Sequence, residues 1–96
     1  MKDVKGSKNV FKDLGFDAEE TGNLRARAML MTELEKYIKR EEITQAVAAR
    51  RFGVTQPRVS DLVNGKIGLF TVDMLMTMLI SAGMSVDIHV HRKKAA

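Results

Sequence analysis

Between Leu24 and Ile38 the apolar residues return every three or four positions: Leu24, Ala28, Met31, Leu34 and Ile38 in one series, Leu30, Leu34 and Tyr37 in another. That is helical spacing, and it predicts one helix over about residues 18–40. Asp17 stands where an N-cap belongs, with Glu19 and Glu20 in the first turn, where the helix dipole favours carboxylates. Gly22 is about 1 kcal/mol worse than alanine inside a helix, so a bend or frayed turn is expected before Asn23. Three shorter helices follow, each opened by a threonine. Thr44 caps Gln45–Phe52, and Gly53 ends it as a left-handed residue. Thr55 caps a third helix with Pro57 in its first turn, where a missing N–H does no harm, and Asn64-Gly65 closes it. Thr71 caps a fourth from Val72 to about Ala82, with Gly83 as its stop. The pattern then changes. Ser85 to His91 alternates apolar and polar residues with period two and reads as a single strand. Ahead of the helices, residues 1–8 read as a tail, and 10–16 as a short extended or turn-like segment pinned by Phe11, Leu14 and Phe16.

This pattern divides the chain into an N-terminal segment (1–16), a helical domain (17–84) and a C-terminal strand with a basic tail (85–96). Ninety-six residues make one domain that buries about two thirds of its unfolded surface, so a core shared with a second copy is a natural expectation. Without cysteine there is neither a disulfide framework nor a thiolate metal site. No apolar run behind the first charges reads as a signal peptide, and Met74–Ile80 is too short to span a bilayer, so a cytoplasmic protein away from membranes is expected. The net charge of +4 is weak evidence by itself. Its placement is stronger: residues 44–66 hold Arg50, Arg51, Arg58 and Lys66 against Asp61 alone, the densest positive excess in the chain.

The same segment carries the chemistry. Two short helices joined by a tight turn pack only when certain positions are small, apolar or glycine. Ala49 falls where the helices cross, Gly53 where the turn needs positive φ, and Val54, Val59 and Leu62 where the second helix meets the first. Ala48 and Phe52 complete the buried side. Residues 44–65 therefore read as a helix-turn-helix.

Ile43–Lys66, in particular Thr44-Gln45, Gln56-Pro57-Arg58-Val59-Ser60-Asp61-Leu62 and Gly65-Lys66, resembles the lambda-repressor-like (Xre/Cro-type) regulators. With Asn9–Phe16 and Asp17–Glu20, the chain is similar to short HigA-type antitoxins encoded beside RelE/HigB-like toxins. The resemblance implies a mostly all-α fold, a lambda-repressor-like bundle of four to five helices whose C-terminal β-strand pairs across a dimer. It also implies a repressor that binds double-stranded DNA, and within that class an autoregulating antitoxin. A solitary phage-type repressor, and an interaction module that has lost DNA binding, are the alternatives.

The third helix would enter the major groove with Gln56, Pro57, Arg58 and Asp61 facing away from Val59 and Leu62. Gln56 suits adenine N6/N7. Arg58 suits guanine O6/N7 or a phosphate. Asp61 accepts from cytosine N4 or orients Arg58, and Pro57 offers only apolar contact, for instance to a thymine methyl. The resemblance assigns phosphate contacts to Gln45, Thr55, Ser60, Asn64 and Lys66, which set register without reading sequence. Arg50 and Arg51 either join them or form a solvated face. Each base contact discriminates by only about 1–3 kcal/mol, so one half-site is too little and a dimer on an inverted repeat is expected, its half-sites one helical turn apart. The fourth helix, apolar nearly all round, and the unpartnered strand 85–91 supply the dimer surface; the alternatives are that Val10-Phe11 pairs with the strand or that it stays partly disordered.

Other chemistry has little support. Asp87, His89 and His91 share one strand face, which reads as solvated rather than as a metal site. Met74, Met76 and Met78 read as core or interface, not as a cofactor pocket. The carboxylates of the first helix alternate with Lys36, Lys39 and Arg40, and no phosphate loop or catalytic triad occurs. No cofactor and no enzymatic activity are expected.

Overall fold

A computed structural model describes residues 18–92. The expected cap at Asp17, the pinning residues Phe11, Leu14 and Phe16, and the tail 93–96 lie outside the described residues. Four α-helices and one 3-10 turn make up the regular structure of the described residues: α1 (Ala18–Glu41), α2 (Gln45–Phe52), α3 (Gln56–Val63), the turn Ile67–Leu69, and α4 (Val72–Ser81). Each expected helix is present. Gly22, however, does not interrupt α1, which runs unbroken through it. A single glycine's propensity is a small term beside the packing of the helix body, where Leu30, Met31, Leu34 and Tyr37 are all buried.

The helices surround one core. Leu34, Phe52, Val59, Leu62, Phe70, Leu75 and Met78 are its most deeply buried side chains. α1 packs on α4, α2 packs on both α3 and α4, and the 3-10 turn leans on α1. This arrangement explains the unusual composition of α4. Flanked by α1 and α2, it buries Leu75, Met78 and Leu79 and half-buries Val72, Met74 and Met76. Two neighbours in the same chain therefore absorb most of the apolar surface that the sequence offers to a second copy. Ile80 is the exposed large apolar residue of this helix.

Threonine caps open α2 and α4: the Thr44 hydroxyl accepts from the Val47 N–H (3.2 Å) and the Thr71 hydroxyl from the Met74 N–H (3.1 Å). α1 ends less comfortably. Its amide bonds Glu42 to Lys39 and Ile43 to Ile38 reverse the chain with Glu42 at φ 53°, a left-handed position that glycine usually fills. No strand is formed among the described residues. From Met84 to Arg92 the chain has no regular structure, and Ile88 and Val90 are largely exposed. No other described segment offers this one a strand to pair with, and period-two alternation alone cannot form a ladder.

Candidate nucleic-acid interface

The turn between α2 and α3 depends on Gly53. It sits at φ 73°, ψ 30°, its N–H bonds back to the last turn of α2, and the Val54 N–H reaches the Ala49 carbonyl (3.0 Å). A Cβ at Gly53 would be strained by the backbone and would also lie 3.3 Å from the Ser81 hydroxyl oxygen on α4. Ala48, Ala49 and Phe52 are buried on the α2 side, and Val59 and Leu62 on the α3 side. The two helices thus meet through the small and apolar residues expected of them.

α3 rests on only those two buried residues and leaves its leading end open. Gln56 and Pro57 are exposed, and Ser60 and Asp61 are half-buried. Thr55 has the extended backbone of an N-cap, but its side chain makes no cap hydrogen bond. The sequence explains this. A cap hydroxyl accepts from the second or third helical N–H. Here the second residue is Pro57, which has none, and the third, Arg58, already donates its N–H to the Thr55 carbonyl (3.1 Å). Gln45 at the start of α2 joins Gln56, Pro57 and Ser60 in lining one open groove, so residues eleven or more positions apart share a surface.

At the other end of α3, Gly65 at φ 72° turns the chain, and the Lys66 N–H bonds the Asp61 carbonyl (3.0 Å). The Lys66 ammonium then lies 3.9 Å from the Asp61 carboxylate, with the ammonium exposed and the carboxylate half-buried. A long pair of this kind at the surface contributes little, and the lysine readily exchanges its partner for another anion. Asn64 is exposed, and its amide donates to the Ser60 hydroxyl (3.5 Å).

In the free protein two of these side chains have other partners. Asp61 does not orient Arg58: its carboxylate faces Lys66, because the Gly65 turn brings that residue back beside α3. Arg58 instead turns toward the body. Its guanidinium donates to the Leu69 carbonyl (3.2 Å) and lies 5.5 Å from the centre of the Phe70 ring. Arg51 is likewise occupied, donating to the Tyr37 hydroxyl and to Glu41, each at 3.1 Å. Those bonds, the Tyr37 one foremost, raise its already high pKa. Arg50 is exposed. Sequence reasoning also missed Arg27, whose guanidinium donates to the Ile67 and Phe70 carbonyls across some forty residues of chain. Nothing local in the sequence marks such a contact. Asp87, His89 and His91 form no metal-ligand group among the described residues.

This small, glycine-hinged helix pair within a four-helix body is a helix-turn-helix domain. The family model described as "Helix-turn-helix domain" matches residues 10–91, and the chain belongs to that family. A solved structure assigned by name to the XRE family of transcriptional regulators superposes with a TM-score of 0.73 at 35% identity, covering 80% of this chain and 90% of that one. The fold is therefore of the Xre type. No curated protein gives a significant match. No helix among the described residues is long and apolar enough to cross a membrane.

Proposed function

We propose that the protein is a transcriptional regulator that binds double-stranded DNA by placing the leading end of α3 in the major groove. The observation that carries this reading is the shared groove of Gln45, Gln56, Pro57 and Ser60, with the Thr55 hydroxyl beside it unused as a cap. Gln56 meets base edges and Pro57 offers an apolar contact. Gln45, Thr55, Ser60, Asn64 and Lys66 hold phosphates, and Asp61 remains near enough to Lys66 to steer it. The Xre-type neighbour supports the same reading, since its name describes a transcriptional regulator.

The test is selection from a random duplex pool, followed by titration of the selected and a scrambled duplex across salt. Binding should weaken steeply with salt as counterions are released. Gln56→Ala should lower the preference for one base pair by about 1–3 kcal/mol. Lys66→Ala should weaken both duplexes alike and reduce the salt slope by about 0.9. Failure to enrich any sequence, together with salt-insensitive binding, would leave the interaction-module alternative standing.

The regulator works as a homodimer on an inverted repeat, with Ile80 of α4 and the 85–91 segment at the joint. Support comes from the exposed Met29, Ile80, Ile88 and Val90, and from the mainly apolar groove that Met29, Leu30, Leu79, Met84 and Val86 line together with Glu33, Ser85 and Asp87. Pairing 85–91 with its copy would satisfy a backbone that has no ladder of its own. Ile88→Asp with Val90→Asp should shift sedimentation from dimer toward monomer, and an unchanged profile would remove the segment from the interface. The antitoxin role rests on the resemblance of residues 9–20 together with that of the helix-turn-helix through Lys66. Co-expression with a neighbouring RelE/HigB-like toxin tests it: neither a complex nor relief of growth arrest would favour the solitary repressor.

A further inference from the structure

Two arginines from different helices converge on the turn that follows α3. Arg27, on α1, is steadied by its Nε donating to the Asn23 side-chain oxygen (2.8 Å), and its terminal nitrogen donates to the carbonyls of Ile67 (3.2 Å) and Phe70 (3.5 Å). Arg58, on α3, donates to the Leu69 carbonyl between them (3.2 Å) and stacks against Phe70, which is buried. Burial holds only part of the turn: Phe70 at its end lies in the core, and Ile67 packs partly against that core. None of residues 67–69 is buried, and Leu69 is half exposed. Its internal bonds are few: Ile67 N–H to Gly65, Leu69 N–H to Lys66, and Phe70 N–H to Ile67. A segment with scant apolar burial normally opens easily. Here charge-assisted bonds to three carbonyls supplement the burial of Phe70 at one end of the turn.

The chemistry is specific to arginine. A planar guanidinium can lie against a ring and still direct an N–H in its plane at a carbonyl, whereas a tetrahedral ammonium has no flat face to lay on the ring. To reach a base edge, Arg58 would have to give up both contacts and leave the Leu69 carbonyl to water. The turn it holds begins at Lys66, whose carbonyl accepts from the Leu69 N–H (3.0 Å). We propose that Arg58 is a positioning residue rather than a base reader: with Arg27 it clamps residues 66–70, and so fixes where the Lys66 ammonium meets the duplex backbone. This rests on the DNA-binding reading above, but the clamp itself is a property of the free protein.

The experiment has two arms, using the full chain. In the first, amide hydrogen exchange at Leu69 and Phe70 is followed by NMR without DNA. Arg58→Lys and Arg27→Lys should each speed exchange at these amides about tenfold, the loss expected of one charge-assisted bond, while the α2 amides stay unchanged. Phe70→Leu, which keeps an apolar side chain but removes the stacking face, should speed the Leu69 amide in the same sense. In the second arm, selected and scrambled duplexes are titrated. Arg58→Lys should weaken both by the same factor, about tenfold, and adding Lys66→Ala should cost less than the product of the single effects, because both act through one contact. A larger loss on the selected duplex than on the scrambled one would make Arg58 a base reader and overturn the proposal. Unchanged exchange at Leu69 and Phe70 would overturn the clamp. Wild-type protein that binds neither duplex would sink the DNA reading and the task assigned to Lys66, while the exchange rates would still decide whether the clamp exists.

Discussion

α2 and α3 are each eight residues long and each opened by a threonine, yet they are built for different work. α2 buries Ala48, Ala49 and Phe52, seals its first turn with the Thr44 hydroxyl, and has Arg51 tied back to Tyr37 and Glu41. α3 buries Val59 and Leu62 only, leaves the Thr55 hydroxyl out of its own cap, and keeps Gln56 and Pro57 in solvent. The first helix is held by packing so that the second can be held lightly and present its surface. The chemical difference at the caps lies at the third helical amide: Val47 donates its N–H to the Thr44 hydroxyl, whereas Arg58 donates its own to the Thr55 carbonyl, and Pro57 leaves no second amide to take its place.

Several substitutions would break or sharpen this contrast. The largest effect should come from the packing helix. Phe52→Ala empties a site only 1% exposed, with its ring 5.6 Å from that of Tyr37, and should cost about 3–5 kcal/mol in a denaturant titration. A loss below about 1 kcal/mol would mean that α2 is not the anchored partner. Next comes the hinge. Gly53→Ala should destabilise by about 1–2 kcal/mol through its left-handed backbone. Adding Ser81→Ala, which removes the oxygen nearest the new Cβ, should restore part of that loss and never all of it, since the φ of 73° remains. The caps should then separate the two helices directly. Thr44→Ala should lose about 1 kcal/mol of stability and leave DNA affinity nearly unchanged. Thr55→Ala should stay within about 0.5 kcal/mol in stability but weaken binding to selected and scrambled duplexes alike. Equal stability losses for the two threonines would erase the distinction between the helices.

Much of the helix-turn-helix could be read in the chain because its constraints are local. A left-handed glycine, a threonine cap and a buried position three or four residues on are each set by steric and hydrogen-bond rules within one or two turns. The same locality limited the reading elsewhere. Along the chain, the side chain of Arg58 is open to DNA or Asp61 alike, because the partners it has in the free protein, Leu69 and Phe70, lie beyond a turn whose path no local rule dictates. Gly22 drew an expected bend from propensity alone, and tertiary packing of the helix that contains it outweighed that term.

By itself, then, the amino-acid order determined which stretches become helices, where they stop, and that a glycine elbow joins two of them, because those outcomes depend on backbone sterics and on periodic burial. Only the tertiary structure decided what became of the surplus apolar surface of α4 and which cations stay available. Both depend on contacts between residues far apart in sequence: α4 lies between α1 and α2, Arg27 and Arg58 close on carbonyls of the 67–70 turn, and Lys66 is brought back beside Asp61. Charge and hydrophobicity can be counted along a chain, but whether a side chain meets solvent or its own fold is settled by distance in space.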